Sequence, residues 1–177
     1  MAPTQLLAWD QAGLALAHAA RAPWLDSVFI VVTWLGSLVL LLPLALLVWW
    51  WRRGERSASF VALALVGASG LGHLVKLLAA RPRPDLFPPL IPMPDDWSFP
   101  SAHAAQATAF ALAWLLRPGA SPGRPEIVVL FAAVALVFAS RLYLQVHFPS
   151  DVFAGALLAV LWVLFLRRLP TWQENKP

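Results

Sequence analysis

The chain contains no cysteine. That absence excludes disulfides, thiolate metal sites and a cysteine nucleophile, and it leaves the cellular compartment open. Charge is scarce as well. Only 12% of the 177 residues are Asp, Glu, Lys or Arg, about half the share of an ordinary soluble domain. The N-terminus has no basic segment leading into an apolar core and a cleavage site, so no cleavable signal peptide is expected and the first membrane helices would direct insertion themselves. No nucleic-acid-binding module, internal repeat or domain linker is visible. The net charge of +4 is small, and its distribution tells more than its size. What the chain has in abundance is apolar surface. Hydrophobic residues make up 60%, in runs long enough to cross a bilayer, which marks an integral membrane protein built as one helical domain.

Residues 4–20 read as a short helix whose apolar residues are interrupted by Asp10, Gln11 and His18. It would reach only about 25 Å against a hydrocarbon core of about 30 Å, so it is expected to lie on the membrane as an amphipathic helix rather than to span it. A first span runs from about Val28 to Trp51, broken only by Thr33, Gly36, Ser37 and Pro43. The Trp49–Trp51 belt followed by Arg52 and Arg53 closes it. A second span covers about Ser57 to Ala80, with Gly67, Gly70 and Gly72 allowing close helix packing. Residues 81–100 carry seven prolines in twenty positions, so neither helix nor sheet continues through them, and loops of this length are often functional. Further helices run from Ser101 to Arg117, Glu126 to Leu144 and Pro149 to Arg168. The expected fold is an all-α integral membrane bundle of five transmembrane helices plus the N-terminal amphipathic helix. It divides into an interfacial helix (1–26), a membrane-embedded domain (27–168) and a cytoplasmic tail (169–177).

Five spans place Arg52, Arg53, Arg56, Arg117, Arg124, Arg167, Arg168 and Lys176 on one side and Arg21, Lys76, Arg81, Arg83 and Arg141 on the other. The positive-inside rule puts the first group in the cytoplasm. Three polar islands then share the opposite face. In the first, Lys76 and Arg83 are two cations able to hold phosphate oxygens, or to snorkel to lipid headgroups. In the second, Pro100-Ser101-Ala102-His103 begins a helix whose free N–H groups suit an anion. There Ser101 is a further donor or an ordinary N-cap, and His103 a proton donor or a structural histidine. The third is Ser140-Arg141 with His147 and Asp151. An imidazole can attack phosphorus directly. A carboxylate four residues on can fix its tautomer, or simply complement the helix dipole. Outside the islands, His73 reads as core packing or support for the site, Arg81 as a headgroup contact or plain surface, Trp97 as an interfacial or core residue or else a lining of the entrance, and Asp95-Asp96 as a solvated loop rather than a metal site.

Together the islands resemble the signature of the type 2 phosphatidic acid phosphatase superfamily: K-x6-RP at Lys76, Arg83 and Pro84, PSGH at Pro100 to His103, and SR-x5-H-x3-D at Ser140, Arg141, His147 and Asp151. The resemblance extends from about Val28 to Arg168. It departs from the pattern at Ala102, where alanine replaces glycine but supplies the same backbone N–H with a methyl group that would narrow the pocket slightly. It departs again at the N-terminus, where the short helix stands in for a sixth span. The resemblance implies that His147 is the nucleophile, His103 the acid for the leaving oxygen and Asp151 the orienting carboxylate. It implies that Lys76, Arg83, Ser101, Arg141 and the Ala102 N–H bind phosphate, and that no cofactor or metal takes part. The implied substrate is a lipid phosphate or pyrophosphate in the bilayer: undecaprenyl pyrophosphate, phosphatidylglycerol phosphate or phosphatidic acid. Alternatives are lipid A 1-phosphate or a non-catalytic membrane scaffold, and a phosphate transporter would need a repeat symmetry that is missing. The expected location is a bacterial inner membrane with the site facing the periplasm or exterior. Oligomeric state is not legible.

Overall fold

The computed structural model describes residues 7–173. Residues 4–6 of the expected first helix and 174–177 of the expected tail lie outside them. Seven α-helices follow in order: α1 (Ala8–Ala19), α2 (Pro23–Val32), α3 (Leu38–Trp51), α4 (Arg56–Ala79), α5 (Ala102–Leu116), α6 (Arg124–Tyr143) and α7 (Pro149–Arg168), with 3-10 turns at Thr33–Gly36 and Pro170–Trp172. Among the described residues there is no strand. In lipid, every backbone N–H and C=O must find a partner within the protein, and a helix supplies them locally.

Helix α5 is the central post, packed against α4, α6 and α7. Its sequence AHAAQATAFALAWLL is rich in alanine, and Ala104, Ala105, Ala107, Ala109, Ala111 and Ala113 are all buried. Small side chains let neighbouring backbones come close where lipid offers no hydrophobic drive for helices to associate. One close approach of backbones is at Gly155 of α7, where an added Cβ would sit 2.4 Å from the Ser101 carbonyl oxygen. The start of α5 is thereby held against the first turns of α7. Of the three α4 glycines, Gly67 alone serves such an approach: its Cα faces the Trp162 ring, which a Cβ would meet at 2.3 Å, whereas Gly70 and Gly72 face open space. Leucine, valine and phenylalanine side chains on α4, α6 and α7, such as Leu77, Leu78, Val128, Phe131, Leu157 and Leu161, point outward and remain exposed. That is the arrangement a bilayer solvates.

The expected first span is not continuous. α2 and α3 are bent by 45° at the 3-10 turn, where Ser37 ends one helix and caps the next by accepting from Val39 N at 3.2 Å. The break carries Thr33 to the guanidinium of Arg141, which donates to its hydroxyl. Helices α4, α6 and α7 are each long and apolar enough to cross a membrane, and the bent pair makes a fourth span if it is counted as one. α5 is apolar but shorter, at 15 residues. α1 spans 12 residues, about 18 Å at the helical rise, and it packs on α6 and α7. Gln145 ties it there by donating to the Leu14 carbonyl at 2.9 Å. The C-terminal ends of α4 and α6 and the N-terminal ends of α5 and α7 meet at one end of the bundle. Arg52, Arg53, Arg117, Arg124, Arg167 and Arg168 belong to helix ends and turns at the other.

Candidate active site

The three polar islands converge at that first end. Lys76, Arg83, Ala102, His103, Arg141 and His147, with Pro94, Asp95 and Asp96 of the long loop, line a cavity of about 420 Å³. Helix ends and the turns beside them deliver Lys76, Ala102, His103, Arg141 and His147, and the loop between α4 and α5 delivers Arg83, Pro94, Asp95 and Asp96. Lys76 lies in the last turn of α4, which stops at Ala80 with a left-handed φ of 44°. Arg141 and His147 are brought round by a Schellman turn closing α6: Val146 N donates to the Arg141 carbonyl (3.2 Å) and Gln145 N to that of Leu142 (3.0 Å). The left-handed residue is Gln145, φ 60°, where glycine is usual. Its buried side-chain amide donates to the Leu14 and Leu142 carbonyls and offsets part of the strain.

His147 is 1% exposed. Arg83 Nη1 lies 3.3 Å from its Nε2 and donates to the Val146 carbonyl at 2.7 Å. A guanidinium only donates, so Nε2 is the acceptor and the imidazole proton sits on Nδ1. Nδ1 lies 3.5 Å from Asp151 Oδ2 and 3.4 Å from the Ser98 hydroxyl. Burial, followed by the charges of Arg141, Arg83 and Lys76, pushes the His147 pKa well below its ordinary value. The ring is therefore neutral at physiological pH, with a lone pair beside the cations. Arg141 is 2% exposed, and its Nε finds no hydrogen-bond partner among the described residues. A buried N–H of this kind is costly unless something accepts from it.

Asp151 is fully buried and combines both readings of the sequence. It sits at the third position of α7 and accepts from Phe148 N at 2.9 Å as a cap, while the same Oδ2 faces His147. Ser98 donates to it at 2.5 Å. Ser101 is also buried, with its hydroxyl accepting from Ala104 N as an N-cap and its own N–H donating to the Asp151 carbonyl at 2.9 Å. It is the one expected phosphate ligand that does not line the cavity.

Four residues missed at the sequence level complete the site. Arg81 is not plain surface. It bridges Asp151 (2.6 Å) and Asp10 (2.8 Å) with its side chain 17% exposed, and it stacks on the Phe148 ring. Asp10 of α1 is fully buried and accepts from Ser150 N at 2.8 Å and from its hydroxyl at 2.6 Å. A carboxylate in an apolar helix was the available signal. Ser98 carried none. Asp96 is a half-exposed loop residue, as expected, but it is also paired, with Lys76 at 2.8 Å and with Arg83. Burial alone would raise its pKa, but hydrogen bonds and charge from Lys76 and Arg83 outweigh that and hold its carboxyl at about 2. Trp97 contributes its carbonyl, which accepts from Lys76, and its ring is not part of the lining. His73 is exposed on α4 rather than packed in support of the site.

The arrangement can hold a tetrahedral oxyanion among three cations beside a neutral imidazole. The model of the PAP2 superfamily matches residues 57–175. This chain belongs to the PAP2 superfamily. It is 33% identical to an undecaprenyl-diphosphatase of Sulfolobus acidocaldarius, over 80% of this chain and 68% of that protein. It is 32% identical to phosphatidylglycerophosphatase B of Bacillus subtilis, over 86% of this chain and 78% of that protein. The crystal structure of Aquifex aeolicus LpxE superposes with a TM-score of 0.79 at 28% identity, covering 92% of this chain and 97% of that one. The superfamily member described here is a membrane protein and a phosphatase, as the signature implied. Asp10, which closes the buried ion network, lies outside the segment that the family model matches.

Proposed function

We propose that this chain is a metal-independent lipid phosphatase acting on a lipid phosphate or pyrophosphate through a phosphohistidine. The observation that carries the reading is the placement of His147, whose Nε2 lies beside Arg83 at the cation-lined cavity while Nδ1 faces Asp151. Nε2 attacks the terminal phosphorus, forming a P–N bond as the P–O bond to the lipid breaks. His103 gives its proton to the departing oxygen. Asp151 and Ser98 stabilise the imidazolium character that grows on His147. Lys76, Arg83, Arg141 and the Ala102 N–H meet the charge on the equatorial oxygens, where donors aimed at developing charge do most. His103, now neutral, takes a proton from water as that water attacks the phosphohistidine and releases inorganic phosphate and free His147. Ser101 acts by capping α5 and so aiming the Ala102 and His103 backbone.

Five crossings, with α5 and the α2–α3 pair included, put the cavity at the membrane surface on the side away from the arginine-rich turns, with α1 lying along it. In a bacterial inner membrane that side is the periplasm or exterior. The tail of the substrate stays in lipid while its headgroup enters. The names of the relatives favour undecaprenyl pyrophosphate and phosphatidylglycerol phosphate as candidates, with phosphatidic acid beside them.

The test is phosphate release by the purified protein in detergent with EDTA, comparing these three lipids. Release should survive EDTA, and the fastest lipid names the substrate. It should vanish in His147→Ala. Normal turnover by a folded His147→Ala protein would overturn the nucleophile assignment.

A further inference from the structure

The carboxylate of Asp96 lies across two of the cations assigned to phosphate. Lys76 Nζ donates to Oδ2 at 2.8 Å, Arg83 Nη2 donates to Oδ1, and Arg83 Nε donates to the backbone carbonyl of the same residue at 2.9 Å. Among the described residues its carboxylate has no other partner, so outward rotation breaks contacts with these two side chains alone. The Lys76 and Arg83 side chains are 3% and 8% exposed, but that of Asp96 is 48% exposed, which places it at the mouth of the cavity it lines. Its two oxygens are spread like one edge of a phosphate, and they engage the same N–H groups.

We propose that Asp96 is a specificity-determining residue, an internal occupant of the phosphate subsite that a terminal phosphate dianion displaces and a phosphodiester does not. The inference rests on the phosphate-binding roles proposed above for Lys76 and Arg83. A terminal phosphate with a second pKa near 6 is largely dianionic at neutral pH and offers three free oxygens. It brings more charge and more acceptors to Lys76, Arg83 and the unpartnered Arg141 Nε than a carboxylate can. A phosphodiester carries a single charge and two free oxygens. It gains nothing over the carboxylate, which is tethered and therefore present at high effective concentration. A membrane surface is paved with phosphodiester headgroups. Two buried cations opening onto it would be occupied by them unless something equally charged stood in the way.

The experiment is isothermal titration of the purified protein in non-ionic detergent with inorganic phosphate and with dihexanoyl phosphatidylglycerol. Wild type is compared with Asp96→Asn and Lys76→Ala, and thermal unfolding serves as the control for folding. Asp96→Asn should bind inorganic phosphate about tenfold more tightly or better, the effect of removing a charge-assisted competitor, and should gain phosphatidylglycerol binding that wild type lacks. Equal phosphate affinity in Asp96→Asn and wild type, with loss in Lys76→Ala, overturns this inference and leaves the phosphate site standing. Unchanged phosphate binding in Lys76→Ala overturns the site assignment and this inference with it. Tighter phosphate binding without any phosphatidylglycerol binding overturns the exclusion of diesters.

Discussion

Two clusters pair carboxylates with cations at the same end of this molecule, and they are built in opposite ways. Behind His147, Arg81 is shared by Asp10 and Asp151, both with no exposed surface, and three of the four carboxylate oxygens are held by Ser98, Ser150 or a backbone N–H while Asp151 Oδ1 accepts from Arg81 itself. In front of it, Lys76 and Arg83 hold a single, half-exposed carboxylate from a loop. A buried ion pair is stable only when its remaining lone pairs are satisfied, and removing one partner strands a charge in low dielectric. A pair whose carboxylate is half-exposed at a cavity mouth is partly screened by solvent and can swing out without stranding itself in low dielectric. The first cluster therefore fixes geometry, and the second is suited to exchanging one anion for another.

Substitutions that strand a charge in the rear cluster should have the largest effects. Asp151→Ala removes the carboxylate facing Nδ1–H and leaves Arg81 with Asp10 as its one carboxylate partner. Turnover should fall by about 10²–10⁴, the usual worth of a positioned proton partner. Measuring kcat and KM for a lipid phosphate substrate checks this, and a fall confined to KM would contradict the orienting role. Asp10→Ala should destabilise the protein by about 3–5 kcal/mol, as breaking buried pairs does. Asp96→Ala should cost clearly less, because Lys76 and Arg83, although little exposed, are left facing an open cavity that water can enter. Thermal unfolding of both in one detergent compares them directly. Equal shifts would erase the distinction between the clusters.

His147 sits between the two and reports on both. Its pKa is depressed, so as pH falls below the ordinary 6.5 the unfolded chain takes up a proton that the folded chain refuses. Stability should therefore decline with falling pH in that window, while the folded ring stays neutral until well below 6.5. The ring-nitrogen chemical shifts of ¹⁵N-histidine-labelled protein would show it. A His147 titration midpoint near 6.5 in the folded protein would mean that the cations do not face the ring as described.

The contrast also explains what the sequence showed and what it hid. Helices α4, α6 and α7 follow from length and hydropathy, and the three motifs named the residues that converge on the cavity, because apolar runs force each intervening polar residue to a helix end. The 45° break at Thr33–Gly36 was hidden, since its residues interrupt an apolar run without a strong breaker and nothing local shows that Thr33 meets Arg141. Arg81 and Asp10 were hidden for a related reason. They are 71 positions apart, and nothing local to either shows that α1 docks on the start of α7. Asp96 looked like a solvated loop residue because no spacing rule links a loop carboxylate to cations on other elements.

The smallest expected effect is also the sharpest test of the front cluster. Asp96 is held at about 2 by Lys76 and Arg83, below the ordinary carboxylate value. Its ion pairs are therefore complete above the ordinary range near 4 and are lost only as pH falls through about 2. Between pH 4 and 9 its charge does not change. The ionisation of phosphate itself affects wild type and Asp96→Asn alike, so the ratio of their phosphate affinities cancels it. That ratio should be flat from pH 8 down to pH 5. A ratio that collapses toward one between pH 6 and 4 would mean that Asp96 protonates in the range of a free carboxylate. Neither cation would then hold it closely enough for it to compete with a phosphate.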